Sequence, residues 1–222
     1  MTPDRLNQLE QQLRSYALNE RKAALDELAQ TPSELALPIL QRLAAESDFL
    51  YRRFAVMGLG NHTTPESLAT LKRLLAEEQD SNVLSEIANS LFEFGDEALP
   101  LLPELFERTT NWLVRQTILG ILVDADRPTV LFDVIRSGLQ DSDVTTKESA
   151  ILAIGTLINQ PDWRDRVLPW LLELAESSQW RNRWRAATTL SICPDDRAKA
   201  ALAKLQQDEN HYVVAAALES NL

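Results

Sequence analysis

The residues best suited to chemistry crowd into one stretch. Between positions 163 and 185 stand four of the five tryptophans, Trp163, Trp170, Trp180 and Trp184, and five arginines, Arg164, Arg166, Arg181, Arg183 and Arg185. Tryptophan buries a large area and arginine makes forked hydrogen bonds, so together they mark surfaces where proteins bind one another. Trp180 and Trp184 are four residues apart, on one face of a helix, and Arg181 and Arg185 repeat that spacing beside them. These four read as an exposed contact surface. Trp170 and Arg183 read instead as packing and as a recurring structural position. Tyr51, Arg52 and Arg53 form a smaller group of the same kind.

Charge is laid out unevenly around this basic stretch. The 222-residue chain carries a net charge of −11. From residue 74 to residue 107 it has nine acidic side chains and no Lys or Arg: Glu77, Glu78, Asp80, Glu86, Glu93, Asp96, Glu97, Glu104 and Glu107. Two readings stand side by side. One is a solvated face that favours solubility; the other is a docking surface that steers a basic partner. Glu86 and Glu93 are seven apart and share a helix face.

No arrangement supports catalysis. The pairs Glu77/Glu78, Asp96/Glu97 and Asp195/Asp196 fall at helix ends or in turns. Asp96, Asp195 and Asp196 suit helix N-termini. His62, in Gly60-Asn61-His62-Thr63, reads as a loop residue, and His211 as the solvated start of the last helix. Cys193 reads as a structural thiol. A single cysteine rules out an internal disulfide and a Cys-based zinc cage. No metal, cofactor or catalytic residue is expected. The start, MTPDRLNQLEQQL, is polar, and no apolar run approaches the ~18 residues of a membrane span. A soluble cytoplasmic protein is the expectation.

The elements that position these residues repeat. Seven segments align: 15–28, 46–59, 79–92, 109–122, 141–154, 177–190 and 208–221, with starts 31, 33, 30, 32, 36 and 31 residues apart. The tenth position holds Ala24, Ala55, Ala88, Ile118, Ala150, Ala186 and Ala217. The seventh holds Arg21, Arg52, Ser85, Arg115, Lys147, Arg183 and Val214. Between these segments lies a second apolar pattern, clearest in Leu37-Pro38-Ile39-Leu40, Leu99-Pro100-Leu101-Leu102 and Leu168-Pro169-Trp170-Leu171. The prolines are expected inside bent helices. Helix starts are expected at Thr31-Pro32-Ser33, Thr64-Pro65-Glu66 and Gln160-Pro161-Asp162.

Each repeat is therefore two helices. Helix A carries the Leu-Pro pattern or its equivalent; helix B carries the basic residue and the alanine. The B helices are expected near 19–30, 50–60, 82–94, 111–124, 143–159, 180–192 and 210–219. The alanine lets helices approach closely. The basic residue can bond turn carbonyls or an acid of the adjacent turn. The expected fold is all-α, a right-handed α-solenoid of about seven repeats in one domain over 1–222.

The pattern resembles HEAT repeats, and the short period resembles the subtype of phycobilisome-lyase-like proteins in cyanobacteria. Glu46 to Gly60, ESDFLYRRFAVMGLG, carries the resemblance best. It implies a non-catalytic adaptor or assembly factor whose partner is a folded protein, a phycobiliprotein or another photosynthetic complex. It also leaves open a bilin lyase or isomerase subunit, in which Trp180, Arg181, Trp184 and Arg185 would hold a tetrapyrrole. Nucleic-acid binding is disfavoured by the net negative charge.

Overall fold

The computed structural model describes residues 1–219. Among them are fourteen α-helices and no strand. The first eight are α1 (Pro3–Leu13), α2 (Leu18–Ala29), α3 (Ser33–Leu43), α4 (Phe49–Gly60), α5 (Pro65–Glu77), α6 (Ser81–Phe92), α7 (Leu101–Arg108) and α8 (Trp112–Asp124). The rest are α9 (Pro128–Leu139), α10 (Val144–Ile158), α11 (Pro161–Ala175), α12 (Trp180–Leu190), α13 (Asp196–Leu205) and α14 (His211–Glu219). Odd-numbered helices are the A helices and even-numbered ones the B helices. The B spans read from the sequence differ from these by two residues or fewer at either end, the usual spread of helix boundaries.

Contacts divide the chain into two compact units, Met1–Ile121 and Leu122–Leu222. The boundary falls inside α8. Residues 220–222, including the end of the seventh aligned segment, lie outside the described residues. In the first unit α2 packs on α4 and α4 on α6; in the second, α10 packs on α12 and α12 on α14. A-helix partners α1, α3 and α5, then α9, α11 and α13, cover the other side of these B helices.

The tenth position explains that B-on-B stacking. Ala24, Ala55, Ala88, Ile118, Ala150, Ala186 and Ala217 are all fully buried. A small side chain there brings two helix axes to the short end of the usual ~8–10 Å separation. Gly60 shows how tight α4 and α6 are: a Cβ there would stand 3.2 Å from the Ser90 Cα. Leu28, Leu40, Leu59, Leu71, Leu91 and Leu102 fill the space between layers and are among the largest fully buried side chains.

Local punctuation differs from expectation in two places. Pro38 and Pro169 lie inside α3 and α11, but Pro100 precedes α7. Gly95, with φ of +58°, turns the chain into a short 3₁₀ turn, Gly95–Glu97, so helix A of this repeat starts late and is only eight residues long. Thr31 does not cap α3. Its hydroxyl donates back to the Glu27 carbonyl at 3.0 Å and closes α2 instead. Thr64 does cap α5, accepting from the Ser67 amide, with Pro65 in the first turn.

His62 is the larger surprise. It sits in the turn after α4 but is only 5% exposed. Its Nε2 lies 3.1 Å from the Leu28 carbonyl, so that nitrogen carries the proton and donates. Nδ1 is left to accept from the Ser33 hydroxyl, also at 3.1 Å. The ring thus ties the second repeat to the first. Burial pushes its pKa below the ordinary imidazole value, against a smaller opposing pull from the Leu28 carbonyl.

Two outcomes follow. Ala150→Leu overpacks α10 against its neighbours and costs about 1–3 kcal/mol, read as a lower urea midpoint. For His62 the folded state holds the neutral ring while the unfolded chain takes up a proton near pH 6.5. Its contribution is therefore full above about pH 6.5 and is lost as pH falls below that value. Melting temperature should fall between pH 7 and pH 5, and His62→Asn should flatten that slope.

Candidate binding surface

The arginines at the seventh position of the B helices reach back to backbone carbonyls before their own helix. Arg52 Nη1 donates to the Glu46 and Ser47 carbonyls at 3.1 and 2.8 Å, while Nε and Nη2 fork onto the Glu78 carboxylate at 2.7 and 3.0 Å. Arg183 repeats this one unit on. It donates to the Ser177 and Ser178 carbonyls and forks onto Asp208 at 2.6 and 2.9 Å. Arg21 donates to the Ser15 carbonyl and Arg115 to that of Phe106. Each guanidinium holds its own turn, and in two repeats the next turn as well. Burial raises the Glu78 pKa, but the Arg52 fork and the amides of Asp80 and Gln79 hold it below the ordinary carboxylate value. Ser85 replaces the arginine with a hydroxyl that donates to Ser81 within its own helix.

Arg52 is thereby removed from the candidate contact residues, since its donors are engaged inside the fold. Tyr51 is also held internally: its hydroxyl donates to the Arg14 carbonyl at 3.3 Å, and its ring lies under the Arg14 and Arg21 guanidiniums. Arg53 donates to Glu86 at 3.0 Å. Glu86 is only 9% exposed, so it is not a free docking charge. It does share a face with Glu93, which is exposed. Both line a depression of about 280 Å³ with Leu25, Asp26, Met57 and Asn89. The acidic segment is thus divided. Glu78, Asp80 and Glu86 serve the fold, while Glu93, Glu97, Glu104 and Glu107 face solvent.

The tryptophan and arginine stretch separates onto two sides of the second unit. On the A side Trp163 and Trp170 pack on Phe132, with ring centroids at 5.3 and 4.8 Å, and Arg166 lies over Phe132 at 4.0 Å. Arg164 donates to the Ile158 and Asn159 carbonyls. On the B side the α12 residues form another group. Trp180 and Trp184 stack at 6.1 Å, and Tyr212 of α14 stacks on Trp180 at 5.6 Å with 21° between planes. Arg181 lies over Trp180 at 5.1 Å and Arg185 over Trp184 at 3.9 Å. Both arginines reach Glu148 of α10: Arg181 at 3.3 Å, and Arg185 through Nε and Nη2 at 3.1 and 2.8 Å. Tyr212 is 52% exposed, and Val144 and Leu152 of α10 add exposed apolar area.

Sequence reasoning brought together Trp180, Arg181, Trp184 and Arg185 but missed Glu148 and Tyr212. A signal existed in the repeat register. Glu148 holds the eighth position of its segment, the same as Arg53, Glu86 and Trp184, while Tyr212 and Arg181 share the fifth. Equivalent or adjacent positions of successive B helices meet side by side. In the fifth repeat the basic residue at the seventh position is Lys147 rather than arginine. A cleft of about 530 Å³ opens there, lined by Lys147, Arg136, Trp170, Glu173, Glu176 and Asn182 among others. Cys193 is buried, and burial together with Asp195 raises its pKa. No group of residues able to hold a metal occurs among the described residues, and no described helix is long and apolar enough to cross a membrane.

The profile of HEAT repeats matches residues 39–122 and 132–222. The chain belongs to the HEAT-repeat family. No curated protein matches it in sequence. Among solved structures it is similar to a mutant of Kap121p, at 16% identity and a TM-score of 0.58, over 99% of this chain and 29% of that one. It is also similar to an engineered protein, at 18% identity and a TM-score of 0.52, over 97% of this chain and 67% of that one. A further similarity is to the complex of CpcE and CpcF of phycocyanin lyase from Nostoc sp. PCC7120. There the identity is 17%, the TM-score 0.49, and the coverage 98% of this chain and 94% of that one. At such identities the likeness shows the fold alone: a solenoid-like array of HEAT repeats.

The lysine at the seventh position of the fifth HEAT repeat has a measurable consequence. Lys147→Arg supplies the fork that the cleft lacks and should raise stability by about 1 kcal/mol. Arg183→Lys should lower it by a similar amount. Urea midpoints of the two variants check both signs.

Proposed function

We propose that this HEAT-repeat protein is a non-catalytic scaffold that binds a folded protein through the B-helix face of its second unit. The observation that carries this reading is the stack of Trp184, Trp180 and Tyr212 with Arg181 and Arg185 on it. Solenoid proteins bind along surfaces built from successive repeats. Rigid aromatics beside arginine are what a binding hot spot needs: large area, few rotamers to freeze and directional donors. The three rings come from two repeats and the salt bridge from a third, so the surface exists only when the repeats are stacked. The partner class suggested by the short repeat period is a phycobiliprotein or a related photosynthetic assembly, with the cytoplasm as the site of action.

The rival reading is a lyase subunit that holds a bilin on the same rings. What favours it is the 21° angle between Trp180 and Tyr212, suited to a flat conjugated ligand. Affinity capture from native lysate separates the two. Trp184→Ala/Tyr212→Ala, with helicity retained by circular dichroism, should lose one specific protein partner that the parent chain captures. An unchanged partner set overturns the scaffold reading at this face. Saturable binding of free bilin, quenching tryptophan fluorescence in the parent chain and not in the double variant, moves the assignment to the lyase subunit.

A further inference from the structure

The B-helix face of the second unit is not uniform, and its layout specifies more than a generic contact. Across it run three helices: α10 with Glu148, α12 with both tryptophans and both arginines, and α14 with Tyr212. Between α10 and α12 the face is cationic. Arg181 and Arg185 share a single carboxylate, that of Glu148. Arg185 takes that carboxylate through two nitrogens, whereas Arg181 reaches it through one nitrogen at 3.3 Å and keeps 53% of its side chain exposed. Two positive charges against one negative leave a surplus guanidinium, and Arg181 is the one with donors turned to solvent. Between α12 and α14 the face is aromatic, with Trp180 and Tyr212 stacked and Tyr212 half exposed.

From this we infer that the surface receives an amphipathic helix carrying a carboxylate and a large apolar side chain about one turn apart, the carboxylate on Arg181 and the apolar group on the Trp180–Tyr212 pad. The inference rests on the protein-binding reading above and names the chemistry of its partner. The spacing comes from the site itself: the Arg181 guanidinium lies 5.1 Å from the Trp180 ring, and Trp180 and Tyr212 are 5.6 Å apart. On a helix, residues four apart lie about 6 Å apart on one face. The charge comes from Arg181, which forms a forked pair with a carboxylate and has no such use for an ammonium. The pad takes an apolar partner because Arg181 already lies over the Trp180 ring, and what the half-exposed Tyr212 and its neighbour leave open is mostly carbon surface. Arg185 remains on Glu148 and holds the edge of the site in place.

The test uses the full chain and three capped helical peptides of four turns. One carries Glu and Phe four residues apart, the second has Lys in place of Glu, and the third has Ala in place of Phe. Fluorescence anisotropy should give the Glu peptide at least tenfold tighter binding than the Lys peptide, and the Ala peptide should bind at least tenfold more weakly than the Glu peptide. Arg181→Glu should reverse the preference between Glu and Lys; Arg181→Gln, which keeps size and removes charge, should abolish it. Two failures are distinguishable. If Tyr212→Ala weakens the Glu and Lys peptides but they bind equally to the parent chain, the face binds helices and the acidic chemistry is wrong. If Tyr212→Ala changes nothing, or no peptide binds at millimolar concentration, the docking of a helix on this face is overturned. Should capture of a native partner still depend on Trp184 and Tyr212 in that case, the scaffold reading survives without the helix.

Discussion

Everything in this chain depends on how closely one B helix can lie against the next. A HEAT repeat has no core of its own; it buries its apolar faces on its neighbours. The buried alanine at the tenth position, present in six of seven segments, sets that approach. Because the spacing is short, side chains at equivalent heights on successive B helices touch. That single constraint produces the Arg53–Glu86 pair in the first unit. It also produces the sharing of Glu148 by Arg181 and Arg185, and the reach of Tyr212 to Trp180, in the second.

The arginines divide by what they hold. Those at the seventh position turn inward and satisfy the carbonyls that helix ends leave open, which are costly when left unbonded. Arg52 and Arg183 add the acid of the following turn and so connect repeats as well as close them. Arg164 and Arg166 do related work on the A side, one on carbonyls and one on rings. What remains for another molecule is small by comparison. Arg181 has exposed donors, and it lies beside aromatic area that the repeats leave open.

Much of the fold was legible because periodicity survives substitution. A recurring alanine and a recurring basic residue located all seven B helices, although Ile118, Ser85 and Val214 break the pattern. What was hidden depended on contacts between residues far apart in sequence. His62 looked like a turn residue because nothing local reveals the Leu28 carbonyl it meets. Glu86 looked like a free charge because its partner, Arg53, is 33 residues away. The place of Trp163, Arg164 and Arg166 was hidden because neighbours in sequence fall on opposite sides of a helical pair. Pro100 was misplaced for a local reason, the left-handed Gly95 that delays α7.

The lysine at position 147 gives the molecule a mechanical property. Where Arg52 and Arg183 fork onto the acid of the following turn, a rigid planar group transmits a pull from one repeat to the next with little give. An ammonium on a four-carbon stem is a flexible tether rather than a staple. The junction beneath it, opened further by the 530 Å³ cleft, has no such fork across it. Glu148 stands on one side of that junction and Arg181 and Arg185 on the other, so bending there would open those ion pairs and leave the Trp180–Tyr212 stack intact.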